Sequence, residues 1–220
     1  MAYEPDVHPG DPASLRELPH LTIRKLAVSD MSNNVYLLTS RATGEQLLID
    51  AADDAPRILA LIEEGGGGRR HLVTTHQHWD HVRALAEVAR RTGARTYAGA
   101  EDADALPVAP DVRLRHGDHI VVGDVDLAVV HLRGHTPGSV ALVYDDPEGH
   151  AHIFSGDSLF PGGVGNTKSP GQSFASLYAD VVSRIFDVYD DDAWVYPGHG
   201  SDTTLGAERP HLGEWRDRGW

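Results

Sequence analysis

A histidine-rich stretch stands where the sequence predicts that a strand ends and a helix begins. Thr75-His76-Gln77-His78-Trp79-Asp80-His81 follows the apolar run Leu72-Val73-Thr74, which is typical of a buried strand. Apolar residues at the spacing of one helix face come next: Val82, Leu85, Val88 and Ala89. Side chains at such a junction lie on rigid elements and leave one side open for a substrate, as a catalytic metal site requires. Imidazole and carboxylate are ligands of zinc, iron and manganese, so the stretch predicts a site for one of these metals.

The composition narrows the class of protein. With 220 residues, 40% of them hydrophobic, the chain fits one α/β domain or two small ones. The net charge of -14 argues against a nucleic-acid partner, because such binding needs clustered Lys and Arg. No apolar run approaches a membrane span, and acids and prolines fill the first 20 residues where a secretory signal would lie, so we expect a cytoplasmic protein. The absence of cysteine leaves His, Asp, Glu or water as metal ligands.

The predicted elements run as strands followed by a helix, twice over. Residues 1–20 lack periodicity and are expected to form a loose N-terminal arm. Strands are predicted at 21–28, 35–39, 47–50, 72–74, 96–98, 120–122, 125–132, 140–144, 152–154 and 194–196. Helices are predicted at 55–63 with Asp53 or Asp54 as cap, from 82 to a C-cap at Gly93, and from a Ser173 cap through 185. This order suits two β-sheets packed together with helices on the outside.

Three further candidate ligands each follow an apolar strand and lie among glycines. They are His135 in Gly134-His135-Thr136-Pro137-Gly138-Ser139, Asp157 in Ser155-Gly156-Asp157, and His199 in Pro197-Gly198-His199-Gly200. Glycine lets the backbone turn sharply and bring a short side chain to a crowded centre.

The order of these blocks behind H-Q-H-W-D-H resembles the metallo-β-lactamase superfamily, in which H-x-H-x-D-H, G-H-T-x-G-S, S-G-D and G-H follow one another. The resemblance implies an α/β fold, a four-layer αββα sandwich of two mixed β-sheets with helices on the outer faces. The resemblance spans about residues 21–205, and we expect a single domain over residues 21–220 that includes a short packed C-terminal tail ending at Trp220. Carried over by position, the resemblance assigns His76, His78 and His135 to one metal ion, Asp80, His81 and His199 to a second, and Asp157 to a bridge between them.

The resemblance also implies a reaction. Two divalent ions, zinc or else iron or manganese, would share a hydroxide that attacks a substrate carbonyl and would stabilise the oxyanion, while Asp80 orients the hydroxide. The segment from Gly162 to Phe174 is similar to the G-x-x-G-R-T-D region of glyoxalase II, with Asn166 and Lys168 in place of its Arg and Asp. The sequence ends before the region that grips glutathione in glyoxalase II. We therefore expect a hydrolase of a small thioester, built on a thiol such as mycothiol or bacillithiol.

Substrate contacts and alternatives complete the expectation. Residues in loops or at strand ends are candidate contacts: Lys168, Asn166, Trp79, Tyr36 and Asn34. A persulfide dioxygenase with a single iron is the second hypothesis, and a lactamase or lactonase is the third. A small molecule is the only partner predicted, and the pattern does not indicate an oligomeric state.

Overall fold

The computed structural model describes residues 3–219 and contains two large mixed sheets. The first sheet consists of β1 (Ser14–Glu17), β2 (Leu21–Val28), β3 (Asn33–Ser40), β4 (Gln46–Ile49), β5 (Arg70–Thr74), β6 (Arg95–Gly99) and β7 (Val112–Leu114). Its strands lie in chain order, antiparallel from β1 to β4 and parallel from β4 to β7.

The second sheet comes from the later part of the chain. The strands after β7 are β8 (His119–Val122), β9 (Val125–His131), β10 (Val140–Asp145), β11 (Ala151–Gly156), β12 (Leu159–Phe160), β13 (Gly163–Val164), β14 (Trp194–Pro197) and β15 (Thr203–Thr204). Their order in the sheet is β15-β14-β11-β10-β9-β8, with β11 and β14 parallel and the other pairs antiparallel. Strands β12 and β13 pair only with each other, as a small hairpin.

Helices lie between the strands and after them. They are α1 (Ala55–Glu64), α2 (Leu85–Thr92), α3 (Phe174–Val181), α4 (Leu205–Glu208) and α5 (Leu212–Arg218). Short 3₁₀ turns cover Trp79–His81, Ala103–Ala105 and Arg209–His211, and a π-helical turn, Val182–Phe186, continues α3. In the described part of the chain no helix has the length and apolar character needed to cross a membrane.

Three buried clusters define the layers. The largest lies between the sheets and joins residues such as Leu38 and Ile49 to Leu127 and Leu142. A second cluster packs α1 and α2 on the outer face of the first sheet. A third packs α3, the π-helical turn and Trp215 of α5 on the outer face of the second. The chain is therefore the four-layer αββα sandwich that its sequence predicts.

Capping residues predicted from the sequence lie at the ends of three helices. Asp54 caps α1 by accepting from the Arg57 amide at 3.3 Å, and Ser173 caps α3 in the same way. Gly93 ends α2 with φ 61°, a left-handed conformation that glycine adopts without steric cost.

Both terminal segments contain regular secondary structure. Residues 14–17 of the expected loose arm form β1, paired antiparallel with β2. The expected tail contains α5, whose Trp215 is 1% exposed in the outer core. Met1, Ala2 and Trp220, at the two ends of these predicted segments, lie outside the described residues.

Candidate metal centre

The predicted ligands lie in loops that follow four strands. His76, His78, Asp80 and His81 follow β5, His135 lies between β9 and β10, Asp157 follows β11, and His199 follows β14. The Asn34 amide donates to the Gly198 carbonyl at 2.7 Å, and this bond ties the two sheets together beside the centre. The fold thus brings side chains that are up to 123 residues apart in sequence to one edge of the sandwich.

His76, His78 and His135 form a compact group. One nitrogen from each lies within 4.8 Å of the others, a spacing suited to ligands around a single metal ion. Their ring centroids are 4.5 to 4.9 Å apart. His76 and His135 are buried, whereas His78 is half-buried.

Asp80, His81 and His199 form a second group with the same spacing. The Nε2 atoms of His81 and His199 are 3.1 Å apart, and Asp80 Oδ2 lies 3.3 Å from His199 Nε2. Asn33 donates from Nδ2 to the same Asp80 oxygen at 2.9 Å, which fixes the carboxylate.

The Asp157 carboxylate lies between the groups. Its Oδ1 is 3.3 Å from His81 Nε2, and its Oδ2 is 3.5 Å from His199 Nε2 and 3.6 Å from His135 Nε2. One carboxylate therefore reaches nitrogen atoms of both groups.

Backbone carbonyls orient two of the histidines. His135 Nδ1 lies 2.7 Å from the Asn166 carbonyl, and His199 Nδ1 lies 2.9 Å from the Met31 carbonyl. Because a carbonyl only accepts, Nδ1 carries a proton in each ring, which leaves Nε2 as the nitrogen that can bind a metal at the centre.

Asp50 orients the histidines after β5. Its Oδ2 accepts from His81 Nδ1 at 2.8 Å and from Thr75 Oγ1 at 2.7 Å, while its Oδ1 accepts from the Thr75 amide at 2.7 Å. Thr75 Oγ1 in turn lies 3.0 Å from His76 Nδ1. Asp50, His76 and His81 also meet the spacing for a metal group, but these hydrogen bonds give Asp50 a supporting role.

The donor set fits a divalent cation. Among the described residues, His76 Nε2, His135 Nε2 and Asp157 Oδ1 are buried side-chain atoms without a hydrogen-bond partner. Buried polar atoms are normally satisfied, so lone pairs that converge without a donor indicate a place for a positive ion. Imidazole nitrogen and carboxylate oxygen suit zinc, iron and manganese alike.

The two groups have different electrostatics. Burial and the neighbouring His81 hold the pKa of His76 well below its usual range, and burial and His135 lower the pKa of His78. These rings are therefore neutral, the form that binds a metal.

Carboxylates dominate the second group. Burial opposes a charge on His199, yet hydrogen bonds to Asp157 and Asp80 outweigh it and raise the pKa of His199 to about 10. Burial also opposes a charge on His81, but Asp157 and Asp50 outweigh it and raise the pKa of His81. Burial alone would raise the pKa values of Asp80 and Asp157, but the neighbouring histidines lower both. The carboxylates stay ionised, so this half of the centre favours positive charge.

Asp102 connects the two loops that carry the first group. Its carboxylate accepts from the Gln77 amide at 2.9 Å, between His76 and His78 in sequence, and from Thr136 Oγ1 and the Gly138 amide at 2.6 Å, just after His135. The Asp102 side chain is fully buried.

We expect Asp102→Ala to weaken metal binding by about 10- to 100-fold, as the loss of residues that orient ligands typically does. The variant leaves two buried amides without an acceptor and releases one loop from the other. Metal content after dialysis against graded chelator concentrations measures the effect. Asp104→Ala is the matched control, because Asp104 lies two residues away, is 83% exposed and pairs with Arg113. Equal metal retention in wild type and Asp102→Ala would contradict the role.

A cavity of about 500 Å³ opens onto the centre, with His135, Asp157 and His199 in its lining. Of the candidate substrate contacts, Asn166 lines this cavity. Lys168 and Trp79 are exposed and lie outside its lining.

Tyr36 and Asn34 lie elsewhere than expected of substrate contacts. Both are buried, and both donate to the Pro197 carbonyl, at 2.7 Å and 2.9 Å respectively. They support the loop that carries His199 and cannot touch a substrate in the cavity. We therefore leave both out of the contact set.

Asp50, Asp102 and Asn33 are the residues that sequence reasoning missed. Asp50 had a detectable signal in the sequence. It directly follows the buried strand β4, which runs parallel to β5, and β5 ends at the histidines, so Asp50 lies at the same edge of the sheet. Asn33 and Asp102 lie in or near turns that give no such pattern.

Comparisons with known proteins agree with this geometry. The profile of the metallo-beta-lactamase superfamily matches residues 28–199. Hydroxyacylglutathione hydrolases from Rhodopseudomonas palustris and Fuscovulum blasticum are 37% and 35% identical over 190 and 160 residues. The alignments cover 86% and 71% of this chain but 67% and 61% of those relatives, so the chain spans about two thirds or less of their length.

Two solved structures have the same fold. ETHE1 from Myxococcus xanthus superposes with a TM-score of 0.76 at 29% identity, covering 86% of this chain and 82% of that chain. TTHA1623 in a di-iron-bound form superposes with a TM-score of 0.72 at 32% identity, covering 84% and 96%.

The superfamily implies binding of divalent metal, which the two histidine and aspartate groups fit. Because the profile covers most of the chain and the layers, loops and donor groups agree with it, the chain belongs to the metallo-β-lactamase superfamily.

Proposed function

We propose that the chain is a metal-dependent hydrolase that cleaves small-molecule thioesters and holds two divalent ions, zinc or else iron or manganese. The observation that carries the proposal is the pair of donor groups linked by Asp157 beneath an open cavity. The relatives named hydroxyacylglutathione hydrolase support the reaction class. The di-iron-bound form of TTHA1623 supports a site for two ions.

Each residue of the centre has a proposed role. His76, His78 and His135 hold one ion, Asp80, His81 and His199 hold the other, and Asp157 is shared. When bound, the ions would supply Lewis-acid chemistry that acidifies water and polarises the substrate carbonyl. Asn33 fixes the Asp80 carboxylate, which we assign to orienting the attacking water. A thiolate is a good leaving group, so the mechanism needs no separate acid.

The carrier thiol is proposed to differ from glutathione. Asn166 stands in the cavity lining where glyoxalase II has Arg, so a different hydrogen-bonding group faces the substrate. Lys168 and Trp79 are exposed beyond the lining and are the proposed contacts for the carrier. The cytoplasmic location stays a prediction.

Thiol release tests the proposal directly. Metal-loaded protein is expected to release thiol rapidly from one member of a panel of acyl thioesters of glutathione, mycothiol, bacillithiol and coenzyme A. Asp157→Ala protein, treated in the same way, serves as the blank. Release at the rate of the blank across the whole panel would overturn thioester hydrolysis.

A second candidate is a mononuclear-iron persulfide dioxygenase. The observation that favours it is that His76, His78 and His135 could hold one metal ion without a ligand from the second group. One iron per chain together with oxygen uptake on a persulfide would establish it. Ring opening of lactams and lactones tests the third reaction class with the same preparation.

A further inference from the structure

The cavity above the metal centre has an apolar wall. Apart from the residues of the centre itself, its lining side chains are Met31, Phe160, Pro161, Val164 and Asn166. Glycine backbone makes up the rest. Over residues 3–219, no Lys, Arg or Glu side chain lines this cavity, and Asp157, its one acid, faces the histidines.

The wall is held in place from behind. Phe160 pairs with Gly163 in the β12–β13 hairpin, and Gly162 forms the turn. The Gly162 amide donates to Glu208 Oε2 at 2.8 Å, and Arg218 Nη2 donates to the Gly162 carbonyl. Side chains of α4 and α5 thus bind both backbone polar groups of Gly162. The apolar side chains of the hairpin are therefore positioned before a substrate arrives.

A cation, Arg83, contacts the wall residue Met31 from outside the cavity lining, and its charge is already paired. Arg83 lies 2.8 Å from Asp53 Oδ2, with its guanidinium 4.1 Å from the centre of the exposed Trp79 ring. Arg83 Nη2 also lies 3.8 Å from the sulfur of Met31. A negatively charged substrate tail would therefore have to compete with Asp53.

We propose that this cavity takes the acyl group of the thioester and selects an uncharged, apolar acyl chain. The inference rests on the proposed thioester hydrolysis. The carrier thiols under test are all strongly polar, and their charged groups or hydroxyls would lose hydration against this wall without gaining a partner. An alkyl or aryl chain, in contrast, gains free energy with each buried methylene. Met31, Phe160 and Val164 are the residues that determine the preference.

A chain-length series on one small neutral thiol tests the proposal. The substrates are the acetyl, butanoyl, hexanoyl and succinyl thioesters of N-acetylcysteamine, and free thiol is measured with a chromogenic disulfide. We expect kcat/KM to rise about fourfold for each added methylene, as burial of a methylene predicts. The succinyl thioester should fall about tenfold below the butanoyl thioester, which has a chain of equal length without the charge.

Variants assign the preference to the wall. Phe160→Ala and Met31→Ala should each reduce the gain to less than about twofold per methylene, because they remove apolar contact area. Val121→Ala should keep the wild-type slope, since Val121 is an exposed apolar residue of β8 outside the cavity lining.

The outcomes separate this inference from the function on which it rests. Cleavage with a flat or falling dependence on chain length, or succinyl and butanoyl rates that match, would overturn the apolar preference and leave thioester hydrolysis standing. No thiol release from any member of the series would overturn the apolar preference, while the panel of carrier thioesters decides thioester hydrolysis itself.

Discussion

Asp157→Ala is expected to lose bound metal and to reduce kcat/KM for a thioester by more than about a thousandfold, because hydrolysis of this kind depends on the ions. Within the described structure, Asp157 is the carboxylate that lies within 3.6 Å of nitrogen atoms in both ligand groups. In the proposed two-ion centre, its removal would take the shared ligand from both ions and would remove one of the two carboxylates, Asp157 and Asp80, that contact both His81 and His199. Elemental analysis of the purified protein, together with thiol release, measures the two losses.

Asp157→Asn separates charge from shape. The amide keeps the volume of the side chain, which matters because Asp157 Oδ1 packs closely against Gly198. We expect the asparagine variant to fold with a near-native circular dichroism spectrum and to lose metal almost as completely as the alanine variant. Two bound metals and full activity in either variant would rule out Asp157 as the bridge.

The candidate ligands could be predicted because their signal in the sequence is local. Each candidate stands directly after an apolar strand and beside glycine or within a dense histidine block, and the structure brings all seven together at one edge. The αββα layers were predictable for the same reason, since the hydrophobic periodicity of strands and helices can be recognised within short stretches of sequence.

The supporting residues were not predictable because their contacts are long-range. Asp50 meets His81 across 31 positions, and Asp102 meets Gly138 across 36. The buried position of Tyr36 could not be predicted for a related reason. Every residue of β3 is buried, because the second sheet covers one face of this strand and the helices cover the other, so alternation does not show which side chains reach solvent.

The N-terminal segment, from Tyr3 onwards, contacts a buried ion pair that local patterns do not reveal. Lys25, on β2, is fully buried and donates to Asp202 Oδ1 at 2.7 Å, to the Gly200 carbonyl at 2.7 Å and to the Pro5 carbonyl at 2.6 Å. Asp202 also accepts from Tyr3 Oη at 2.7 Å. Lys25 thereby holds the N-terminal segment against the residues that directly follow His199.

Lys25→Met is expected to lower the free energy of unfolding by about 3–5 kcal/mol, because it leaves the Asp202 carboxylate buried without its cation. Burial raises the pKa of Asp202 and lowers the pKa of Lys25, and the attraction between the two groups opposes both shifts. Urea unfolding of the metal-loaded protein, followed by tryptophan fluorescence, gives the difference.

The double variant Lys25→Met/Asp202→Leu tests whether the unpaired charge is the cause. Replacing both members of a buried pair with apolar residues is often neutral, so we expect it to regain more than half of the loss. If the single variant unfolded at the wild-type urea concentration, the ion pair would not stabilise the fold. If the double variant were less stable than the single one, the further loss would come from the Tyr3 hydroxyl and the Trp194 indole N–H, which lose Asp202 as their acceptor, and hydrogen bonds to Asp202 would matter more than the unpaired charge.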